Sequence, residues 1–90
     1  MLLTLFKMND SLDLKIIKTI AEELRVDISQ LTLETKPYDI VEWDSMNNTL
    51  IFLLIEQRFS PGLTFDEYSS CKNIGELIAC IKSNKMKSTS

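Results

Sequence analysis

Ser45 is the residue whose type and position in this sequence are best suited to chemistry. It follows Asp44 where a polar segment gives way to the apolar run 50–55, so the pattern places it at the start of a helix. A catalytic serine needs a base within hydrogen-bond reach, but the chain has no histidine and no basic residue near Ser45 in sequence. The sequence also lacks a glycine-rich phosphate loop and an obvious pair of catalytic carboxylates. These residue types predict a serine that is modified, and they argue against an enzyme.

The first turn of a helix favours a phosphodiester on such a serine. Backbone amides there have no carbonyl partners within the helix, and the helix dipole adds partial positive charge. If Asp44 is the N-cap, the Ser45 hydroxyl is left facing solvent. The alternative is that Ser45 is itself the N-cap and nothing more, since serine and aspartate are both common at that position.

The spacing of apolar residues predicts four helices and no strand. Helix I covers 10–24, helix II 44–58, helix III about 65–71 and helix IV about 74–83. The predicted core faces are Leu14, Ile17, Ala21 and Leu24 of helix I, widened by Ile16 and Ile20; Met46, Leu50, Leu53 and Leu54 of helix II, widened by Ile51, Phe52 and Ile55; and Ile74, Leu77, Ile78 and Ile81 of helix IV. Because helix II is apolar almost all the way round, we expect neighbouring helices or a partner to cover it. The fold class is all-α, a small four-helix bundle with a long helix I–II loop and a short helix III.

Polar residues and turn formers mark the predicted helix ends. Asp10 or Ser11 is expected to cap helix I, and Pro61-Gly62 to end helix II. Two capping boxes are expected, Thr64 with Glu67 and Asn73 with Glu76. The long connection 25–43 contains Pro37 and has four apolar residues that can hold it to the core, Ile28, Leu31, Ile40 and Val41.

The length and charge of the chain narrow the classes of function. Its 90 residues allow one domain with a small core, predicted at 10–83 between an N-terminal extension at 1–9 and a flexible basic tail at 84–90. Residues 1–81 carry seven basic side chains against all 13 acidic ones, a net charge of −6. An acidic domain repels phosphate backbones, so we expect basic protein partners and no nucleic acid.

The cysteines and the apolar segments indicate a cytoplasmic protein without a membrane span. Cys71 and Cys80 are too few for a disulfide framework and fit no metal-ligand pattern, so both are expected to be reduced, inert core thiols. The apolar start 1–6 is too short for a signal peptide, and no run approaches the roughly 20 residues of a membrane span. We expect a monomer, although helix II is apolar enough to pair two copies.

The stretch Trp43-Asp44-Ser45-Met46, followed by Leu50-Ile51, Leu54, Glu56 and Phe59, resembles the phosphopantetheine attachment region of acyl carrier proteins. The resemblance extends from helix I to Ile81 and includes the stretches 23–26 and 73–78. It implies an acyl-carrier-protein bundle in which Ser45 bears a 4′-phosphopantetheine arm, added from coenzyme A by a phosphopantetheinyl transferase. It also implies that the arm holds an acyl or aminoacyl thioester, which a loading enzyme supplies and downstream transferases or synthases use.

The resemblance further implies where partner enzymes dock. We expect them on helix II and the preceding loop, with Trp43 and Met46 as apolar contacts and Glu42, Asp44 and Asn47 as polar ones. Glu34, Asp39, Glu42 and Asp44 form an acidic approach to Ser45 that could steer basic enzyme surfaces, and the alternative is that these charges serve only solvation. Trp43 has a packing alternative, as a cover for the end of helix II.

Two departures from the family pattern affect the expected pathway. Met46 replaces the usual leucine, which is a volume-conserving change. Asn47 and Asn48 stand where many carriers of fatty-acid synthesis have acidic residues, and Trp43 resembles free-standing carriers of specialised bacterial pathways. We therefore expect a specialised pathway. The alternative is a carrier-like helical adaptor that has lost the arm and works as a protein-binding module.

Overall fold

Four α-helices form the described part of the chain. The computed structural model describes residues 11–88, with side chains for 12–84. The helices are α1 (Ser11–Leu24), α2 (Ser45–Phe59), α3 (Phe65–Ser69) and α4 (Ile74–Ser88). No strand occurs between residues 11 and 88, so the predicted all-α fold is confirmed. The predicted 1–9 extension and the Asp10 cap lie outside the described residues.

Isoleucine and leucine side chains from α1, α2 and α4 build the core. On α1 the buried face is centred on Ile16, Ile20 and Leu24, one turn apart, whereas Leu14 of the predicted stripe is 43% exposed. The predicted stripe of α4 is confirmed, because all four of its members are at most 4% exposed. The fully or nearly fully buried core residues of these three helices are Ile16, Ile20, Ala21, Leu24, Ile51, Ile55, Ile74, Leu77, Ile78 and Ile81.

The predicted core face of α2 is wrong for the side that contains Met46, Leu50 and Leu53, whereas two of the residues expected to widen it form the buried side. Ile51 and Ile55 are completely buried, whereas Met46, Leu50 and Leu53 are 72%, 39% and 53% exposed. The helix is apolar all round, so its sequence period does not indicate which side faces the core. Packing against α1 buries the isoleucine side and leaves the other side in solvent.

Polar contacts fix α1 against the helices on either side of it. The Arg58 guanidinium at the end of α2 donates to Thr19 Oγ1 at 3.1 Å and lies 3.4 Å from Glu22 Oε1. Lys82 Nζ of α4 lies 2.7 Å from Asp13 Oδ1. Lys82 therefore helps to hold α4 against α1.

The α1–α2 connection folds back onto the start of α4. The amides of Ile74 and Gly75 donate to the carbonyls of Thr35 at 3.0 Å and Leu33 at 2.8 Å. A Cβ at position 75 would lie 3.1 Å from the Leu33 oxygen, so glycine permits this close approach. The connection also contains two 3-10 turns, Ile28–Gln30 and Pro37–Asp39. The first two amides of α4 thus have acceptors supplied by the connection.

The anchors and caps of the connection and of the later helices were only partly predicted. Of the four apolar anchors expected in the connection, Leu31 is buried and Ile40 partly buried, but Ile28 is 38% and Val41 92% exposed. The Thr64–Glu67 capping box is confirmed. At α4, Asn73 Oδ1 accepts from the Glu76 amide, but Glu76 Oε1 accepts from the Lys72 amide instead of completing the box.

Two predicted helix ends also differ from the structure. Helix α3 ends at Ser69 and not near 71. Helix α4 continues to Ser88, five residues beyond its predicted end. No helix in the described part of the chain is both long enough and apolar enough to cross a membrane.

Candidate functional site

Ser45 is the first residue of α2, and Asp44 is its N-cap. The Asp44 backbone is extended, with φ −88° and ψ −178°, and its Oδ1 accepts from the Asn47 amide at 2.9 Å. The side chain that caps the helix is therefore the aspartate, as its position before the serine indicated. The alternative in which Ser45 serves only as the cap is excluded. Ser45 is exposed, so its hydroxyl is available at the surface.

The start of α2 is exposed, and some of its backbone amides have no hydrogen-bond acceptor among residues 11–88. Of the first four amides, that of Asn47 is bonded to the Asp44 side chain and that of Asn48 to the Asp44 carbonyl, at 2.8 Å. The Ser45 hydroxyl and the amides of Ser45 and Met46 have no acceptor or donor partner among residues 11–88. Unpartnered amides at a helix N-terminus, together with the helix dipole, favour an anionic group at this position.

Three residues expected to meet partners surround Ser45 at the surface. Met46 is 72% exposed, and Glu42 is exposed on the loop before the helix. Asn47 is half-buried, and its Nδ2 donates to the Glu42 carbonyl at 2.9 Å, which ties the loop to the first turn. The structure thus gathers Glu42, Asp44, Met46 and Asn47 around the serine.

Trp43 is in a different position from these neighbours. Its side chain is only 8% exposed and belongs to the core cluster. The structure thus supports the packing alternative for Trp43, since a buried ring offers a partner little surface. Burial of the Trp43 ring fixes the backbone directly before Asp44.

The side chain that holds Trp43 is Asn48, which sequence reasoning assigned no role. Asn48 Oδ1 accepts from Trp43 Nε1 at 2.9 Å and from the Tyr68 hydroxyl at 2.8 Å. Burial raises the pKa of Tyr68, only partly opposed by hydrogen bonding with Trp43, so the phenol stays protonated. A signal for this network was available, because a buried tryptophan or tyrosine generally needs a partner for its polar atom.

A cleft of about 210 Å³ opens beside Ser45 between α2, α3 and the start of α4. Asp44 and Ser45 contribute to its lining, and further residues around it are Trp43, Asn48, Tyr68, Cys71, Ile74 and Leu77. None of them supplies a base that is hydrogen-bonded to the Ser45 hydroxyl, and residues 11–88 hold no cluster of metal-ligating side chains. The arrangement can present a group on Ser45, and its visible contacts give the serine no activating base.

The two cysteines are free thiols, both partly buried. Burial and the nearby Cys80 raise the pKa of Cys71 to about 11. Since the thiolate is the reactive form, Cys71 is largely unreactive near neutral pH, as the sequence predicted.

The acidic approach to Ser45 is partly engaged in backbone capping. Asp39 Oδ2 accepts from the Lys36 amide at 2.9 Å, and Asp44 caps α2. Glu34 and Glu42 are exposed, and neither carboxylate has a partner among the described residues. Steering of partners by this approach stays a prediction.

Comparison with known proteins links this geometry to a family. The family model described as the phosphopantetheine attachment site matches residues 14–81. The acyl carrier protein MbtL of Mycolicibacterium paratuberculosis is 35% identical over 60 residues, which cover 67% of this chain and 67% of that protein. MbtL of Mycobacterium sp. is 28% identical over 82 residues, covering 91% and 92%. The acyl carrier protein of Helicobacter acinonychis is 27% identical over 67 residues, covering 74% and 86%.

No solved structure matches the chain. The family model nevertheless spans most of the bundle, from α1 into α4. The relatives agree with it, since each of the three is an acyl carrier protein. The chain therefore belongs to the acyl carrier protein family, whose members carry covalently attached 4′-phosphopantetheine.

Proposed function

We propose that Ser45 is the attachment point of the phosphopantetheine arm. The observation that supports this most directly is the exposed, unpartnered Ser45 hydroxyl at the first position of α2, directly after the capping Asp44. The aspartate satisfies the Asn47 amide, so the serine is not needed to complete the helix. Modification of Ser45 therefore breaks no hydrogen bond seen in the described residues.

Attachment requires a transferase and coenzyme A. The Ser45 oxygen attacks the coenzyme A phosphate that is bonded to pantetheine, forming a phosphodiester, while the serine proton passes to a base of the transferase. The bond between the two phosphates breaks, and adenosine 3′,5′-bisphosphate leaves. On this chain, the open amides of Ser45 and Met46 and the dipole of α2 favour the negative charge that the phosphodiester keeps.

The carried group is an acyl or aminoacyl thioester on the thiol of the arm. Acyl carrier proteins are carriers and not catalysts, and the visible contacts of Ser45 include no base. The chain presents the thioester to a loading enzyme and then to downstream transferases or synthases, at a raised effective concentration. We infer a cytoplasmic location, because the arm must be drawn from the coenzyme A pool, and we keep the monomer as the expected oligomeric state.

A specialised biosynthetic pathway fits this chain better than housekeeping fatty-acid synthesis. No ionisable side chain occurs from Ser45 to Ile55 on α2, and the half-buried Asn47 and Asn48 occupy the first turns. Carriers of fatty-acid synthesis commonly have acidic residues there, as the family pattern implies. The neutral first three turns of α2 support this part of the proposal.

The attachment proposal is tested by mass spectrometry of the intact protein. After incubation with coenzyme A and a broad-specificity phosphopantetheinyl transferase, we expect one phosphopantetheine-sized gain in mass. Ser45→Ala abolishes the gain without changing the helical circular dichroism, since the Ser45 hydroxyl makes no hydrogen bond among the described residues. Ser69→Ala is the matched control, because Ser69 is an exposed serine lining the same cleft, and this variant keeps the gain.

Two outcomes contradict the attachment proposal. A gain that persists in Ser45→Ala places the arm elsewhere. The absence of any gain with several transferases favours the alternative function, a helical adaptor without the arm. The exposed apolar side of α2 would suit that alternative equally.

A further inference from the structure

A pocket of about 530 Å³ lies between α1 and the end of α2, and it shares no lining residue with the cleft at the start of α2. We call it the basic pocket, because Lys15, Lys18 and Arg58 line it. The other lining residues are the partly buried Leu12 and Phe59, the buried Thr19 and the exposed Glu22. Three basic side chains and one acidic one give the pocket a formal charge of +2, whereas residues 1–81 together carry −6. The basic pocket therefore reverses the overall charge locally.

The guanidinium of Arg58 is held in position but keeps donors without acceptors. Its Nη1 donates to Thr19 Oγ1 at 3.1 Å and to Glu22 Oε1 at 3.4 Å. The Thr19 hydroxyl is itself anchored, because it donates to the Lys15 carbonyl at 2.9 Å. Nε and Nη2 of Arg58 donate to no described residue. Two adjacent N–H donors on one planar edge are the geometry that binds a carboxylate through two hydrogen bonds.

Glu22 does not neutralise the basic pocket. Its carboxylate lies 3.4 Å from Arg58 Nη1, and the two side chains are 64% and 47% exposed. An ion pair this exposed contributes little free energy, so it competes weakly with another anion. Lys15 and Lys18 are exposed, and neither forms an ion pair with a described residue. The pocket thus offers three cations to an incoming ligand.

The spacing of these cations and the apolar lining indicate the class of ligand. Lys15 and Lys18 are three residues apart, so they lie on one side of α1. Arg58 lines the same pocket from α2, and three separate cations fit several carboxylates better than one. Leu12 and Phe59 are only partly buried, so an apolar side chain can cover them further. A protein segment that combines several acidic residues with a few apolar ones satisfies both features.

A second copy of the chain matches the basic pocket less well. The acidic approach of such a copy has two carboxylates, Asp39 and Asp44, that already accept backbone amides. Only the exposed Glu34 and Glu42 would be left to meet the cations. A copy docked through this region would also cover its own Ser45.

We propose that the basic pocket binds an acidic, amphipathic segment of a partner protein. Arg58 takes one carboxylate through Nε and Nη2, and Lys15 and Lys18 take neighbouring carboxylates of the same segment. Apolar side chains of the segment cover the apolar lining. Arg58 is 13 residues from Ser45 on the same helix, or about 20 Å along its axis. The bound segment therefore leaves Ser45 accessible.

Such a segment tethers its protein to the carrier without occupying the surface around Ser45. Tethering raises the effective concentration of the attached protein near the carried group. The net negative charge of the chain predicts basic partners, whereas the basic pocket selects an acidic segment. The two kinds of contact consequently do not compete for one surface.

The test titrates the full chain with a fluorescein-labelled peptide in which pairs of glutamates alternate with leucine and phenylalanine. Fluorescence anisotropy gives Kd, and amide NMR spectra are expected to shift most at Lys15, Lys18 and the end of α2. Replacing the glutamates of the peptide with glutamine is expected to weaken binding at least about tenfold. Raised sodium chloride weakens the wild-type complex several-fold, because the pocket is exposed to screening ions.

Variants of the chain assign the binding to the pocket. Lys15→Gln and Lys18→Gln are each expected to weaken binding about two- to fivefold, and Arg58→Gln about tenfold. Lys72→Gln is the matched control, because Lys72 is an exposed lysine between α3 and α4, and this variant stays within about 1.5-fold. Ser45→Ala binds as wild type does. Circular dichroism melting checks each fold, and the two lysine variants decide the matter if Arg58→Gln unfolds.

Several outcomes would overturn the proposal. They are the absence of peptide binding, equal binding of the glutamine peptide, and equal losses in Lys72→Gln and Lys15→Gln. Sodium octanoate that binds the pocket as tightly as the peptide would assign it to a small carboxylate. Tighter binding to phosphatidylglycerol vesicles, lost in Lys18→Gln, would assign it to a membrane surface.

Sedimentation reports on the remaining occupant. A wild-type dimer that Lys18→Gln converts to monomer would assign the pocket to a second copy and overturn the proposal. None of these measurements uses the arm, so their failure leaves attachment at Ser45 untouched. Peptide binding by a chain that no transferase modifies would support the basic pocket and contradict the proposed function alone.

Discussion

At the scale of single residues, Asn48 connects three parts of the molecule. Its Oδ1 accepts one hydrogen bond from the loop residue Trp43 and one from Tyr68 on α3, while Asn48 itself lies in α2. The side chain of Ser45, three residues earlier, is hydrogen-bonded to neither of these residues in the described part of the chain. The proposed attachment residue, Ser45, is thus left out of this network, and Asn48, one turn later, stabilises its surroundings.

Replacement of Asn48 by alanine is expected to destabilise the fold by about 1–3 kcal/mol, because the buried Trp43 Nε1 loses its acceptor while the Tyr68 hydroxyl keeps only the Asn48 carbonyl at 3.2 Å. Asn48→Asp keeps an acceptor oxygen and is expected to lose less. Asn47→Ala, which removes one exposed hydrogen bond, is the neighbouring control and costs about 1 kcal/mol or less. Urea unfolding followed by circular dichroism gives the three values. A loss in Asn48→Ala no greater than that in Asn47→Ala would contradict this role.

The sequence predicted that Ser45 is exposed and that Asp44 caps α2. It did not predict the hydrogen bonds of Asn48 that stabilise this region. The roles of Asp44 and Ser45 could be predicted because helix capping depends on residues that are neighbours in the sequence. The bond between Asn48 and Tyr68 joins residues 20 positions apart, and only the folded chain brings them together. For the same reason the sequence left two readings of Trp43 open, a partner contact and a packing role, and the folded chain supports the packing role.

At the scale of elements, the end of α2 shows how a short turn sets the direction of the next helix. Ser60 closes the helix in the left-handed conformation at φ 49°, and Gly62 follows at φ 74°. The Glu56 carboxylate accepts from the amides of Gly62 at 3.2 Å and Leu63 at 2.9 Å. The predicted stop at Pro61-Gly62 is confirmed, and the part played by Glu56 was not foreseen.

Gly62→Ala is expected to destabilise the protein by about 1 kcal/mol through its backbone alone. A Cβ at this position would meet nothing within 4 Å, so crowding does not contribute, but a positive φ disfavours alanine. Gly62→Asn is expected to lose less, since asparagine tolerates this conformation better. Thermal unfolding compares the variants with wild type. Equal losses for alanine and asparagine would contradict an origin in backbone conformation.

Periodicity predicted the helices of this chain better than it predicted their orientation. The repeat in α4 has polar residues between its apolar ones, and its buried face is the predicted one. The repeat in α2 has too few polar residues to mark a solvent side, so the predicted face is wrong there. Helix ends were displaced by up to five residues, because local sequence rarely determines the last turn.

At the scale of the whole molecule, the bundle depends on a neutral Tyr68. Burial raises the pKa of this phenol above its ordinary value of 10.0, whereas unfolding returns it to that value. Above pH 10.0 the unfolded chain loses a proton that the folded chain retains. The contribution of Tyr68 to the free energy of unfolding is therefore fully present below pH 10.0 and falls as the pH rises further.

We expect the free energy of unfolding to decline by about 1.4 kcal/mol per pH unit above pH 10.0 because of this one group. Urea unfolding of Tyr38→Phe measures the decline, since Tyr68 is then the sole tyrosine of the chain. Tyrosinate absorbance is expected to appear together with loss of helix. Adding Tyr68→Phe removes this share of the decline, and an unchanged pH dependence in the double variant would refute the assignment.

The N-termini of α2 and α4 line the same cleft but differ in what protein engineering can do with them. The amides of Ser45 and Met46 at the start of α2 have no acceptor among residues 11–88, whereas the first two amides of α4 donate to the carbonyls of Thr35 and Leu33. A side chain grafted at position 75 would also press on Leu33. Transplanting an Asp-Ser pair to α4 would consequently create no second loading point, and a designer seeking a two-armed scaffold must first redirect the α1–α2 connection.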